Sequence, residues 1–448
     1  MNLTDRLIHE IQSLFQSDLS ESTGRYAKRC LLDYLGATLA GARLTRDKTA
    51  ILMTSLGGSD SGVSVIGLRR RAPVPVAALV NGISSHAAEL DDGVISGIVH
   101  PGAPLLSALL PVAEEQSIDG RRLLLGIVSG YEATVRLANA IQPSHKMRGY
   151  HATATCGGIG AALGILNMTA ATEETMKNAV SAAAVSAGGS LKVLEDGSQL
   201  KPFNPGHAAL TAVVSVALAK AGFKGPDDVM SGRAGFLAMM ADAYEEEALF
   251  PERDQKLCIE SVYVKPYAAC RYCHPAIEAA LQIRCEKVIC VEDIEWIRVA
   301  TYKLAVDHHD HTVVQEVSSA KMSIPFSVAA AMVTGRAGIE EYSEACIRDT
   351  RIVRLAQKVS VIPDEHYSAV FPKQTPARVE IRCRNGSDHV REVFLPKGEP
   401  GNPLSDDELN NKFMSLAAYA GLTSNQSATI RDAVWNLPDG AERLYELL

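Results

Sequence analysis

The chain has 448 residues, of which 47% are hydrophobic, 21% charged and 5% aromatic, long enough for two or three domains around a large core. A net charge of −8 excludes the basic field that a nucleic-acid surface needs, yet a local basic pocket could still take a small anion. Nine scattered cysteines, with no apolar leader ahead of them, are expected to be reduced thiols in the cytoplasm.

The opening MNLTDRLIHEIQSLF reads as an amphipathic helix with charges throughout. Apolar residues then recur at helical spacing over residues 26–40, 76–90, 105–114, 123–140 and 208–221. Residues 152–172 are uncharged but carry Gly, Asn and several Thr. They read as a buried helix, because a membrane span needs roughly 20 predominantly apolar residues. Thr172, followed by Glu174 and Thr175, opens a further helix whose first turn suits acidic side chains. No alternation of period two appears in this half, so an all-helical domain is expected over residues 1–255.

The pattern changes after Pro251. Residues 294–304, 358–362, 377–383 and 389–395 alternate and are rich in β-branched side chains, and Asn385-Gly386-Ser387 reads as a hairpin turn. Helical stretches at 275–285 and 323–333 lie between them, giving an α+β unit over residues 256–399. The segment KGEPGNP at 397–403 reads as a linker. Ser405 with Glu408, and Thr423 with Gln426, form capping boxes, so the tail returns to helix. Residues 400–448 are expected to complete the first domain. The fold class is mainly α with an α+β second domain, the smaller unit acting as a lid.

Five segments place polar residues where a core should be apolar. They are His86-x-x-Glu89-x-Asp91-Asp92, His100-Pro-Gly-Ala103, Arg148-x-Tyr150-His151, Gly197-Ser198-x-x-Lys201-Pro202, and Lys265-Pro-Tyr267 running on to Arg271 and His274. None spells a nucleophile elbow, a phosphate loop or a zincin helix. Cations and histidines with few nucleophiles suit abstraction of a proton beside a carboxylate, where the base needs a tuned pKa and the enolate needs positive charge. The run from Tyr150 into an uncharged helix stands out, since a proton shuttle there would have a cation on one side and a dry helix on the other.

Three other patterns carry less. Cys270-x-x-Cys273-His274 has the spelling of a haem attachment site but no export signal, and no second Cys pair for zinc. Asp307 to His311 resembles a metal tract, but consecutive side chains diverge, so it reads as a polar loop. Gly157, Gly158 and Gly160 follow no strand and are taken as a tight helix contact rather than a dinucleotide fingerprint.

In their order, the five segments resemble the MmgE/PrpD family, and the similarity of pattern covers nearly the whole chain, including residues 320–326 (AKMSIPF) and the closing helices. The resemblance implies a small polycarboxylate substrate, a homodimer, and neither metal nor organic cofactor. It places the family's active-site histidines on His100 and His151, its lysines on Lys201 and Lys265, and its acidic motif on Asp91 and Asp92 after His86. The family's activities include 2-methylcitrate dehydration, cis-aconitate decarboxylation and iminodisuccinate epimerisation. This chain departs from the lyase pattern at Glu89 (for aspartate), Gly93 (for threonine), Asn204 (for histidine), Cys270 (for histidine) and Phe326 (for tyrosine). Loss of a phenol and imidazoles removes donors that could help a hydroxyl leave, which favours an isomerase. The expected function is therefore cofactor-independent epimerisation of an iminodisuccinate-like substrate. The alternatives are a 2-methylcitrate dehydratase-like lyase, a cis-aconitate decarboxylase-like lyase and a non-catalytic binder. His100, Tyr150, His151 and Lys201 are the expected proton-transfer residues. Asp91, Asp92, Arg148, Lys265, Arg271 and His274 are expected to bind substrate, with no nucleic-acid or membrane partner.

Overall fold

The structure is a computed structural model that describes residues 1–14, 19–58, 61–194, 198–252, 256–287 and 289–448. Phe15 of the expected first helix, Gly197 of the Gly-Ser pair and the expected boundary at residue 255 lie outside these. The chain divides into two compact units, the first made of Met1–Leu194, Leu200–Tyr263 and Ser405–Leu448, and the second built on Val264–Leu404.

Helices dominate the first unit. At its centre, Ala152–Met168 is buried on all sides, as a helix that is apolar all round must be. It packs against Gly120–Ile141, Phe203–Lys220, Gly102–Glu115 and Glu173–Val185. Small residues permit this density. A Cβ on Gly160 would stand 1.9 Å from Thr134 Oγ1, and one on Gly157 would stand 2.7 Å from Pro104 Cγ, so the glycine run is a helix contact. Thr172 caps Glu173–Val185 by accepting from Thr175 N. The tail returns as Asp406–Tyr419 and Ser424–Trp435, both opened by reciprocal capping boxes, and the first of these packs on the long helix Glu21–Ser55.

One expectation needs correction here. The unit also holds a small antiparallel ribbon, β1 (Val63–Val65) with β2 (Arg70–Ala72), paired Val63 to Ala72. Strands of three residues are too short to show an alternation above the helical background.

The second unit carries a four-stranded sheet. Its strands are β3 (Ile294–Thr301), β4 (Val359–Pro363), β5 (Ala377–Cys383) and β6 (Asp388–Val393), in the order β4-β3-β5-β6. β4 runs parallel to β3 and the other pairs are antiparallel. Alternate residues of β5 are buried, with the helices His274–Glu286 and Ile324–Thr334 packed in the same unit. Gly386 turns the β5–β6 hairpin at φ 83°. Residues 397–403 are not a linker. Gly398 N donates to Asn402 O at 2.9 Å, and Glu399, only 4% exposed, is the buried partner of Arg271. Glycine and proline there shape a turn around a carboxylate. Phe326 is 1% exposed and its ring lies 5.9 Å from that of Tyr342, so its departure from tyrosine is a matter of core packing.

Candidate active site

Two helices of the first unit approach at glycine. A Cβ on Gly82 would lie 2.6 Å from Gly206 Cα, and one on Gly206 would lie 2.6 Å from Leu79 O. This backbone-to-backbone crossing brings the end of Val74–Ala87, which carries His86, to the start of Phe203–Lys220, which carries Asn204 just after Lys201. Beyond His86 the chain reverses through Glu89 at φ 56°, and Ile98, two residues ahead of His100, sits at φ 45°. Left-handed backbone is costly for a β-branched residue and uncommon for glutamate, and such strain concentrates at functional loops. Gly102 follows for a steric reason. A Cβ there would meet Tyr131 Oη at 2.5 Å and both Asp92 carboxylate oxygens at 2.8 Å.

These turns assemble a buried cluster. His86, His100 and His151 have ring centroids 4.9, 6.1 and 6.5 Å apart in the three pairings, with Tyr263 edge-on to His100 at 6.4 Å. His100 Nδ1 faces two acceptors, Asp92 O at 2.6 Å and Asp91 Oδ2 at 3.3 Å. Nδ1 therefore carries a proton, and the neutral form of His100 presents its lone pair at Nε2. His151 has the opposite arrangement. Asn204 Nδ2 donates to its Nδ1 at 2.9 Å, which leaves the hydrogen on Nε2. Asp91 Oδ2 also accepts from His86 Nδ1 at 2.6 Å, and His86 Nε2 has no partner among the described residues. Lys201 is ion-paired with Glu89, whose carboxylate lies 3.8 Å from His86 Nε2.

The electrostatics sharpen these roles. Burial, helped by the neighbouring His86, Lys201 and His100, holds the His151 pKa well below that of a free imidazole, so it stays neutral. Asp92 is pushed up to about 7 by burial, against the Tyr131 hydroxyl and the Gly102 N–H that favour its charged form. With its carboxylate held from behind by those two groups, Asp92 offers the cluster its backbone carbonyl rather than its charge.

Not every expected residue joins the cluster. Tyr150 stacks on buried His145 with centroids 5.2 Å apart, and His145 is itself held by Thr155 Oγ1 and Met240 O, each at 2.8 Å. Arg148 is exposed and pairs with Asp242 at 3.0 Å. Neither hydrogen-bonds to the three imidazoles in any contact described. Lys265, Arg271 and His274 belong to the second unit. There Lys265 is fully buried, Arg271 is ion-paired with Glu399 and lies 3.5 Å from Thr375 Oγ1, and His274 Nε2 donates to Ala269 O at 3.1 Å. Sequence reasoning missed Tyr131 and the pair Asp33–Lys412, which fall in helical stretches, Glu399, which fell in the supposed linker, and Tyr263. The one available signal was the charge of Asp33 inside an otherwise apolar run.

His86, Asp91 and His100 bring three potential metal ligands within 4.8 Å. Both histidine Nδ1 atoms, however, already donate, one to a carboxylate and one mainly to a carbonyl. Ligation through both Nδ1 atoms would displace two protons. Cys270 and Cys273 form no disulfide among the described residues. His309 Nδ1 donates to Asp307 O and His311 Nε2 to Ser319 O, so the Asp307–His311 tract does not converge.

The helical unit thus sets three imidazoles over buried carboxylates and is joined in sequence to an α+β unit. Residues 6–248 match the MmgE/PrpD N-terminal domain and residues 267–438 the MmgE/PrpD C-terminal domain, and the chain belongs to the MmgE/PrpD family. It is 26% identical, over all of its length and 96% of the relative's, to the cis-aconitate decarboxylase-like protein oryM of Aspergillus oryzae (strain ATCC 42149 / RIB 40). Among the described residues no helix is long and apolar enough to cross a membrane.

Proposed function

We propose that this protein is a cofactor-independent epimerase of a small polycarboxylate of the iminodisuccinate type. The observation that carries it is the opposed partnering of two neighbouring histidines, acceptors at His100 Nδ1 and an amide donor at His151 Nδ1, which implies a lone pair at His100 Nε2 and an N–H at His151 Nε2. His100 removes the proton from the carbon beside a carboxylate, and the electron pair moves into that carboxylate as an enediolate. Neutral His151 donates a hydrogen bond to the developing oxyanion, a role that a lowered pKa favours because a neutral donor need not lose its proton. Lys201 returns a proton to the carbon, inverting it, and both groups reset by exchange with water. The family resemblance alone suggests carboxylate-binding roles for Lys265, Arg271 and His274.

The second reading is a lyase, favoured by the name of the Aspergillus relative. Incubation in deuterated water with iminodisuccinate stereoisomers, 2-methylcitrate, citrate and cis-aconitate separates the readings by NMR. Deuterium at the α-carbon with stereoisomer interconversion is expected. New alkene signals from a hydroxy acid, or carbon dioxide release from cis-aconitate, would replace the epimerase with the lyase. The homodimer is proposed on Phe203, Val214 and Leu218, exposed on one face of Phe203–Lys220, an apolar stripe that a second copy would cover. Light scattering at the monomer mass would overturn it.

A further inference from the structure

Lys412 lies on the tail helix Asp406–Tyr419, far along the chain from the imidazole cluster, yet its ammonium donates to Leu90 O at 2.8 Å and to Asp33 Oδ1 at 2.5 Å. The side chains are 9% and 0% exposed. Asp33 stands on Glu21–Ser55, three residues after Cys30, and its carboxylate is close enough to Asp91 and Asp92 to interact with both electrostatically. Asp33 Oδ2 is buried with no hydrogen-bond partner among the described residues.

The Leu90 carbonyl belongs to the peptide that enters Asp91. On one side of it is Glu89, in left-handed backbone. On the other is Asp91, whose single Oδ2 faces both His86 Nδ1 and His100 Nδ1. A strained turn will relax unless its neighbours hold it, and a charge-assisted hydrogen bond from a buried ammonium is a strong hold. If the lysine served only to neutralise Asp33, it would not need to reach Leu90 O.

We propose that Lys412 and Asp33 are positioning residues of the active site: the ammonium pins the Leu90–Asp91 peptide, and Asp33 holds the ammonium, so that Asp91 keeps His86 and His100 in their Nδ1–H forms. Only the assignment of chemistry to those histidines rests on the proposed function. The pinning does not.

The test avoids leaving a lone buried charge, which by itself destabilises a fold. In Asp33→Asn/Lys412→Met both charges are removed together. Full-length protein labelled with ¹⁵N-histidine reports the His86 and His100 tautomers by long-range NMR, with no substrate present. The double variant is expected to unfold cooperatively, as the parent does, while the His100 signals move from the Nδ1–H pattern towards a tautomer mixture. Deuterium exchange at the α-carbon should fall about tenfold in kcat with KM little changed, as loss of a correctly presented base requires. Lys412→Arg, which can reach both acceptors, should restore the parent spectrum. A folded double variant with parent-like histidine signals would overturn the proposal. Should the double variant not fold, the apolar pair Asp33→Leu/Lys412→Met, which likewise leaves no lone charge, decides, and histidine signals identical to the parent would overturn the proposal equally. Because the spectra need no turnover, an inactive substrate panel would count against the epimerase reading alone.

Discussion

Asn204 offers the sharpest handle on the chemistry, because one atom exchange should reverse a tautomer. Its amide donates to His151 Nδ1 at 2.9 Å, and both residues are buried, at 5% and 6% exposure. Asn204→Asp keeps the shape but offers only acceptors. His151 must then place its proton on Nδ1 to satisfy the new carboxylate, and Nε2 changes from donor to lone pair. A preorganised donor to a developing oxyanion contributes ~3–4 kcal/mol, so kcat should fall about 100- to 1000-fold while the substrate still binds. The added negative charge should also raise the His151 pKa from its depressed value, which burial now sets. The assays are stopped-flow or NMR deuterium exchange for kcat and KM, and ¹⁵N-histidine NMR for the tautomer. Activity within a factor of about three of wild type, with the tautomer reversed in the spectrum, would refute the assignment of His151 as the donor.

Four further outcomes follow from the same geometry. Lys201→Met should lower α-proton exchange at least ~100-fold, and near-normal turnover would remove Lys201 from the mechanism. Gly82→Ala puts a methyl 2.6 Å from Gly206 Cα, so it should cost ~1–3 kcal/mol as overpacking, and an unchanged melting temperature would contradict the close crossing. Asp92, with a folded pKa of about 7 against 3.8 unfolded, binds its proton more tightly when folded. Its contribution is therefore present at low pH and lost as pH rises through about 7; Asp92→Asn should gain in melting temperature relative to wild type between pH 5 and 8, and parallel curves would refute this. Dialysis against a strong chelator should leave exchange intact, and recovery of lost activity by one added metal ion would show that His86, Asp91 and His100 exchange their protons for a cation.

The resemblance to lyases was weighed in part on Phe326, and the structure takes that residue out of the comparison by burying it in the core of the second unit. Of the four other departures, Asn204 and Glu89 act directly on the cluster, one bonding to His151 Nδ1 and the other pairing with Lys201.

What the sequence determined by itself is what neighbouring residues decide among themselves. Helical periodicity, the Thr172 cap, the capping boxes at Ser405 and Thr423 and the Gly386 hairpin depend on contacts within a few positions, and such local rules are written in the order of side chains. The ordered polar motifs likewise carried the family and the pairing of an acidic loop with histidines. Only the tertiary structure decided how those groups are protonated and supported. Asn204 meets His151 across 53 positions, and Lys412 meets Asp33 across 379. No periodicity records such pairs. Tyr131, Asp33 and Lys412 looked like helix-face or core residues because their partners come from other helices. Tyr150 looked catalytic and Arg148 substrate-binding because they adjoin His151 in the chain, but the turn before that helix directs Tyr150 onto His145 and Arg148 to Asp242. Proximity along the backbone does not set direction in space. A proton's position depends on which donor or acceptor the folded chain brings within hydrogen-bonding distance.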